Sequence, residues 1–334
     1  MGGIIMCTAM TLKTKDNHHF FGRNLDVPQS YGQHVLTVPR QFKWKNTSNQ
    51  TPHTATYACV GMGIVLANHP LLFDAVNEAG LAGAGLNFTR YAQFSDTAIQ
   101  NQENVSSADF LYWALSQFST VKSLKKALEV VVLTSIPAIP GLEVVKLHWI
   151  FTDLTGQSIV VEYMEDGMHV HDNPVGVLTN DPTFDWHLTN LKHYATLTSQ
   201  SPQTVMMGDL SVTPFGSGTG RFGIPADGTP ASRFISTVFY RDHVEVSEGE
   251  VSGVSALLEV LDRVVIPKGA EVNADQEKNF TLYQSAMCQE SRTYYYADYH
   301  NRRLNAVRLT EQAASAKTIT RFDYLATQDI NFQN

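Results

Sequence analysis

The chain has 334 residues, 43% of them apolar and 17% charged, a composition that builds a core and excludes disorder. Its formal net charge of -8, with no long basic run, argues against a nucleic-acid partner, which demands a clustered Lys/Arg footprint. Three widely spaced cysteines, Cys7, Cys59 and Cys288, make no disulfide framework and point to a reducing compartment.

Residues 1–6 carry neither the basic segment nor the apolar stretch of a signal peptide, and no myristoylation pattern. The longest mostly apolar run, 57–67, falls far short of the roughly 20 residues a membrane helix needs. The expectation is a soluble, cytoplasmic protein.

Residues 8–12 and 19–26 read as two strands joined by the polar loop Lys13-Thr14-Lys15-Asp16-Asn17. His18 and His19 have no third ligand nearby and read as solvated loop residues. Residues 35–38 and 42–44 continue the β pattern, and 57–66 reads as a buried strand. Asn77-Glu78-Ala79-Gly80 has turn chemistry. The small residues after it suit a strand pressed against another layer and ending at Asn87.

Two helices are expected next. Ser106 or Ser107 caps one carrying Phe110, Leu111, Trp113, Ala114 and Phe118, and Thr120 caps the other. Their aromatic stripe is read as core packing rather than a ligand pocket. Three strands follow at 148–151, 158–163 and 168–171. His169 and His171 share a face there, but no third metal ligand accompanies them. Residues 177–180 form a short strand running into Asp181-Pro182, where a helix should start with proline in its first turn.

The glycine-rich stretch 215–230 includes Gly216-x-Gly218-x-Gly220. Its spacing is not a phosphate fingerprint, so it reads as a surface loop or lid. Helices over 232–243 and 252–264 precede strands at 280–287, 292–299 and 304–309. Hairpins, helices, a meander, helices and a meander predict an α+β fold with two helix layers around antiparallel sheets. No linker composition or internal repeat divides it.

Cys7 carries the candidate chemistry. Were the residues before it removed, one residue would hold a thiol and a free α-amine, a base of ordinary pKa about 7.7–8.0. The competing reading is a buried core cysteine. Met6 leaves two routes open: residues 1–6 as a propeptide, or translation from Met6 with only that methionine removed.

Cys7-Thr8-Ala9, Gly22-Arg23-Asn24-Leu25-Asp26, Asn77-Glu78-Ala79-Gly80-Leu81 with Gly85-Leu86-Asn87-Phe88, 172–180 and Ser232-Arg233-Phe234 together resemble the choloylglycine hydrolase family. Its members are bile salt hydrolases and penicillin V acylases. The resemblance spans nearly the whole chain from Cys7. It implies a four-layer αββα N-terminal-nucleophile sandwich, with 7–334 as one domain and a homotetrameric assembly.

It also implies Cys7 as nucleophile and base, Arg23 beside the sulfur, Asp26 on the α-amine, Asn87 and Asn180 at the oxyanion, and Arg233 as a second active-site arginine. Along an ideal strand Arg23 and Asp26 face opposite ways, so Asp26 is expected to lie past the regular ladder. Leu25 suits an apolar acyl group. Arg90 either pairs with a taurine or glycine acid group or is solvated.

Asn87 and Gly22-Arg23-Asn24 look more like the bile salt group than the penicillin acylases. The expected substrate is therefore a conjugated bile salt, with penicillin V or an N-acyl homoserine lactone as alternatives. The different-class alternative is a non-enzymatic steroid or lipid binder. A papain-like protease would need its own signature around Cys59 or Cys288, and none is present. No metal or organic cofactor is indicated.

Overall fold

The computed structural model of the protein describes residues 6–137, 143–273, 275–324 and 327–334. Alternating and doubly buried apolar runs pair into two large sheets. The first has strand order Val177–Leu178, Met6–Lys13, His19–Val27, Lys278–Cys288, Thr293–Asp298 and Asn305–Arg308, with Glu271–Val272 alongside Lys278–Cys288. The second runs Gly167–Asp172, Ser158–Met164, Leu147–Thr152, Ala82–Asn87, His69–Asn77, Cys59–Leu66, His34–Val38 and Thr320–Phe322. Among the described residues, the pairings within both sheets are antiparallel.

The helices Pro230–His243 and Glu250–Asp262 cover the outer face of the first sheet, and Phe110–Gln117 covers the second. The sheets face each other where Met6–Lys13 and His19–Val27 meet Ala82–Asn87. This is the expected α–β–β–α layering, and it explains why Met6–Lys13 is buried at every position but its last.

One apolar cluster, including Phe20, Phe21, Ile150, Phe234 and Leu257, fills the gap between the sheets and the space under the two outer helices. A second, including Phe110, Tyr112, Trp149 and Phe151, lies under Phe110–Gln117. Burying one such large side chain contributes roughly 1.5–3 kcal/mol. Close approach fixes the small residues of Ala82–Asn87: a Cβ on Gly83 would sit 2.6 Å from the Phe151 ring.

Several boundaries differ from expectation. Thr120 caps its helix through a reciprocal pair with Ser123, but the N-cap of Phe110–Gln117 is Asp109, not Ser106 or Ser107. The Asp109 carboxylate is occupied by Thr47 and His69 instead of capping. The helix expected at Pro182 begins at Phe184, with Thr183 at its N-cap. Pro182 follows a cis peptide bond and belongs to the turn before the helix. A hairpin, Val205–Met207 with Leu210–Val212, precedes the glycine-rich loop. Met206, Met207, Leu210, Phe215 and Phe222 stand exposed there.

Candidate active site

Met6–Lys13 and His19–Val27 pair with Cys7 opposite Leu25 and Ala9 opposite Arg23. Opposed residues share a face, so Cys7 and Arg23 both point into the gap between the sheets. There Arg23 Nη2 donates to Cys7 Sγ at 2.5 Å. Its Nη1 donates to the carbonyls of Phe73 (3.1 Å) and Gly85 (2.9 Å) on the facing sheet. Asp74 stands behind it, Oδ2 at 3.9 Å from Arg23 Nη1. The hydroxyls of Tyr283, Tyr294 and Ser285 all donate to that carboxylate.

Asp26 lies inside the ladder, opposite Met6, and not past it as expected. Alternation sends its side chain to the other face, where Thr281 Oγ1 donates to Oδ1 at 2.6 Å and Oδ2 is buried without a partner. The pairing partner Lys278–Cys288 shifts register between Thr281 and Tyr283, beside this position. Asp26 reaches the Cys7 sulfur through its backbone N–H.

Arg233, on Pro230–His243, approaches the same strand from the helix side. Its Nη1 donates to the Cys7 carbonyl and to Thr8 Oγ1, its Nη2 to Asn180 Oδ1 at 2.8 Å, and its Nε to the Gly228 carbonyl. The Cys7 N–H also donates to Asn180 Oδ1, at 2.7 Å, while Asn180 Nδ2 donates to the Asn87 carbonyl at 2.9 Å. Two donors on one side and a carbonyl on the other fix which way that amide points. Thr89 Oγ1 donates to Asn87 Oδ1.

Six of the residues singled out in the sequence therefore form one connected cluster: Cys7, Arg23, Asp26, Asn87, Asn180 and Arg233. Leu25 is buried beside it, opposite Cys7. Arg90 is exposed; its N–H donates to Asp181, and it lines a shallow hollow with Tyr91, Gln93 and Met164. Met6 remains attached, so the Cys7 nitrogen here is a peptide amide, and Cys7 is only 1% exposed.

Burial sets the electrostatics. It pushes the Cys7 thiol up; Arg23, the Asp26 N–H and Arg233 pull it down, and the Asp26 charge adds to the rise. Burial also lifts the Asp26 carboxyl to about 6, against the opposing pull of Arg233, Thr281 and Arg23. Arg233 is lowered by burial, with Asp26 and Cys7 opposing. The sulfur thus meets the Arg23 guanidinium directly in a dry setting, with Arg233 on the Cys7 backbone from the helix side, an arrangement suited to holding a nucleophile and developing negative charge. Among the described residues, no cluster of three or more His, Cys, Asp or Glu is placed to hold a metal.

Sequence reasoning missed Asp74, His148 and His187. Asp74 and His148 each interrupt an otherwise apolar strand, Leu71-Leu72-Phe73-Asp74-Ala75-Val76 and Leu147-His148-Trp149-Ile150-Phe151. A lone ionisable group in such a run signals a buried network.

Fold and cluster together define an amide hydrolase of the N-terminal-nucleophile type. Residues 7–321 match the family model for linear amide C–N hydrolases, choloylglycine hydrolase family, and the chain belongs to that family. It is 39% identical to a bile salt hydrolase/transferase of Clostridium perfringens, over 98% of this chain and 100% of the relative. It is 37% identical to a conjugated bile acid hydrolase of Lactobacillus acidophilus, over 87% and 92%. A crystal structure of a conjugated bile acid hydrolase from C. perfringens superposes with a TM-score of 0.93 at 38% identity, covering 98% and 100%. A penicillin V acylase from Agrobacterium tumefaciens shares the fold, with a TM-score of 0.75 at 21% identity, covering 94% and 90%. Among the described residues no helix is long and apolar enough to cross a membrane.

Proposed function

We propose that this chain hydrolyses the amide bond of glycine- or taurine-conjugated bile salts, with Cys7 as both nucleophile and base after the residues before it are removed. The observation that carries this reading is the convergence of Arg23, Asn180 and Arg233 on a single residue, Cys7, from three separate parts of the chain. The bile salt preference rests on the near full-length identity with enzymes named for that substrate.

In this mechanism the free α-amine takes the thiol proton as Sγ bonds to the amide carbonyl carbon. Negative charge then gathers on the carbonyl oxygen, where Asn180 and Asn87 stabilise it. Collapse breaks the C–N bond, and the amine returns its proton to the departing glycine or taurine nitrogen. Water attacks the thioester, gives a proton to the amine, and the sulfur leaves with the acyl bond broken. Asp26 Oδ2, buried without a partner in the uncleaved chain, would hold the new ammonium.

Leu25 would line the acyl site and Arg90 the rim, facing the conjugated acid group. Residues 7–334 are read as one working domain in the cytoplasm. The homotetramer that the family resemblance implies would cover the exposed apolar hairpin and loop around Met206, Met207, Leu210, Phe215 and Phe222, and light scattering on a sizing column checks it.

The test has two parts. Mass spectrometry of the purified protein should find a chain starting at Cys7. Amine release should be measured from glycocholate and taurocholate, and acyl release from penicillin V. A chain retaining Met6 with full activity overturns the amine-base mechanism; turnover of penicillin V alone overturns the substrate.

A further inference from the structure

The edge strand Val177–Leu178 pairs with Met6–Lys13 for only two residues, Leu178 opposite Ala9 and Val177 opposite Met10. Before it, the Thr11 N–H donates to the Gly176 carbonyl. An antiparallel ladder repeats this bond every second residue, so in continued register the Cys7 N–H would donate to the main-chain carbonyl of Asn180. It donates instead to the Asn180 side chain.

The displaced Asn180 carbonyl is not left empty, and the Thr179 carbonyl, which the ladder already turns away from Met6–Lys13, has a partner too. His187, on Phe184–Leu191, lies with Nε2 2.9 Å from the Asn180 carbonyl, and His148 lies with Nε2 2.9 Å from the Thr179 carbonyl. Both histidines are fully buried, and their rings stack on Phe234 and Phe88 respectively.

The hydrogen positions follow from the partners. A carbonyl only accepts, so each Nε2 donates. His187 Nδ1 is buried without a partner, and burial holds that ring down at about 4, so His187 is neutral. His148 has a partner on each side, its Nδ1 facing Glu162 Oε1 at 3.1 Å. Burial alone would raise Glu162, but His148 and His171 override it and keep the carboxyl at about 2. Glu162 thus holds the His148 ring from the Nδ1 side while Nε2 faces the Thr179 carbonyl. Glu162 Oε1 also accepts the Phe184 N–H at 3.0 Å, tying the far end of the same turn to the same group.

The geometry points to His187 and His148, backed by Glu162, as positioning residues: His187 holds the Asn180 carbonyl off the ladder and His148 anchors the residue before it, so that the Asn180 side chain, not its carbonyl, meets Cys7. None of the three touches the sulfur or the substrate. They act through Asn180, and the inference rests on the reading of Asn180 as part of the catalytic cluster.

The experiment is a double-mutant cycle in mature enzyme, normalised to titratable Cys7 thiol. His187→Phe removes the donor and keeps the stacked ring; His187→Gln and His148→Gln restore an amide donor near the same carbonyls. The expected result is a fall in kcat of about 10-fold or more for His187→Phe with KM nearly unchanged, partial recovery in His187→Gln, and little further loss in an Asn180→Ala background. Equal fold-losses with and without Asn180, or a loss fully explained by fewer folded thiols, overturns the inference.

A substrate-free readout separates this from the substrate assignment. The pH profile of Cys7 alkylation by iodoacetamide should shift alike in His187→Phe and Asn180→Ala, without adding in the double variant. An unshifted profile in His187→Phe counts against the inference whatever the enzyme hydrolyses. If His187→Phe does not accumulate, His187→Leu, which also removes the donor, carries the same cycle.

Discussion

Arg23 Nη2 donates to Cys7 Sγ across one strand pairing, while its Nη1 is pinned by two carbonyls of the facing sheet. The guanidinium is therefore aimed as well as charged. A charge-assisted bond of this kind is worth about 1.5–3 kcal/mol. Arg23→Leu should cut turnover roughly 10- to 100-fold and raise the thiol pKa, read as a shift of the alkylation profile to higher pH. An unchanged profile would remove Arg23 from the nucleophile's environment.

Asn180 gives up three side-chain bonds on truncation, to the Cys7 nitrogen, Arg233 and the Asn87 carbonyl. Asn180→Ala is expected to lower kcat about 100- to 1,000-fold, the usual cost of one oxyanion donor. Steady-state kinetics on glycocholate measures it, and a loss confined to KM would move Asn180 out of the transition state.

Asp26 gives a pH signature in the uncleaved chain. Its folded value of about 6 lies above the ordinary 3.8, so the folded chain binds that proton more tightly than the unfolded one. The stability from this group is full below about pH 4 and lost as pH climbs through 6, about 3 kcal/mol in all. Denaturant melts of Cys7→Ala from pH 4 to 7 should show the slope, and Asp26→Asn in the same background should flatten it. Parallel curves would place the Asp26 proton elsewhere.

Asp74 is the buried acid behind Arg23, and three hydroxyls depend on it. Removing one side of a fully buried ion pair costs about 3–5 kcal/mol, because the other charge stays buried. Asp74→Ala should lower the urea midpoint accordingly, and Tyr294→Phe by a smaller step. A midpoint within error of the parent would show that Arg23 needs no buried counterion.

Gly83 tests the packing between strands. Gly83→Val places a branched side chain where even a Cβ would lie 2.6 Å from the Phe151 ring, and overpacking typically costs about 1–3 kcal/mol. Thermal melts read the effect; no change would mean the Phe151 ring can swing clear.

Local pattern carried the strands and the layering, because residue alternation and helix caps are written in short windows. Thr120 announced its helix correctly. The position of Asp26 was harder: its place in the ladder depends on pairing with Met6 and on the shift near Thr281, more than 250 residues away. Pro182 misled for a similar reason. Proline suits a first helical turn as well as a bend, and only the turn in which Glu162 binds the Phe184 N–H separates the two. Asp74 stood in plain view as a charge in an apolar run, but its hydroxyl partners lie on strands near the other end of the chain.

The brevity of Val177–Leu178 has a consequence for how the gene can change. Side-chain direction in a strand flips with every single-residue shift, so one codon gained or lost between Gly176 and Asn180 would turn the asparagine away from Cys7 and offer the wrong neighbour in its place. Length variation should therefore be tolerated in the exposed loop beyond Val212 and purged from this four-residue step, whatever the amino acids on either side.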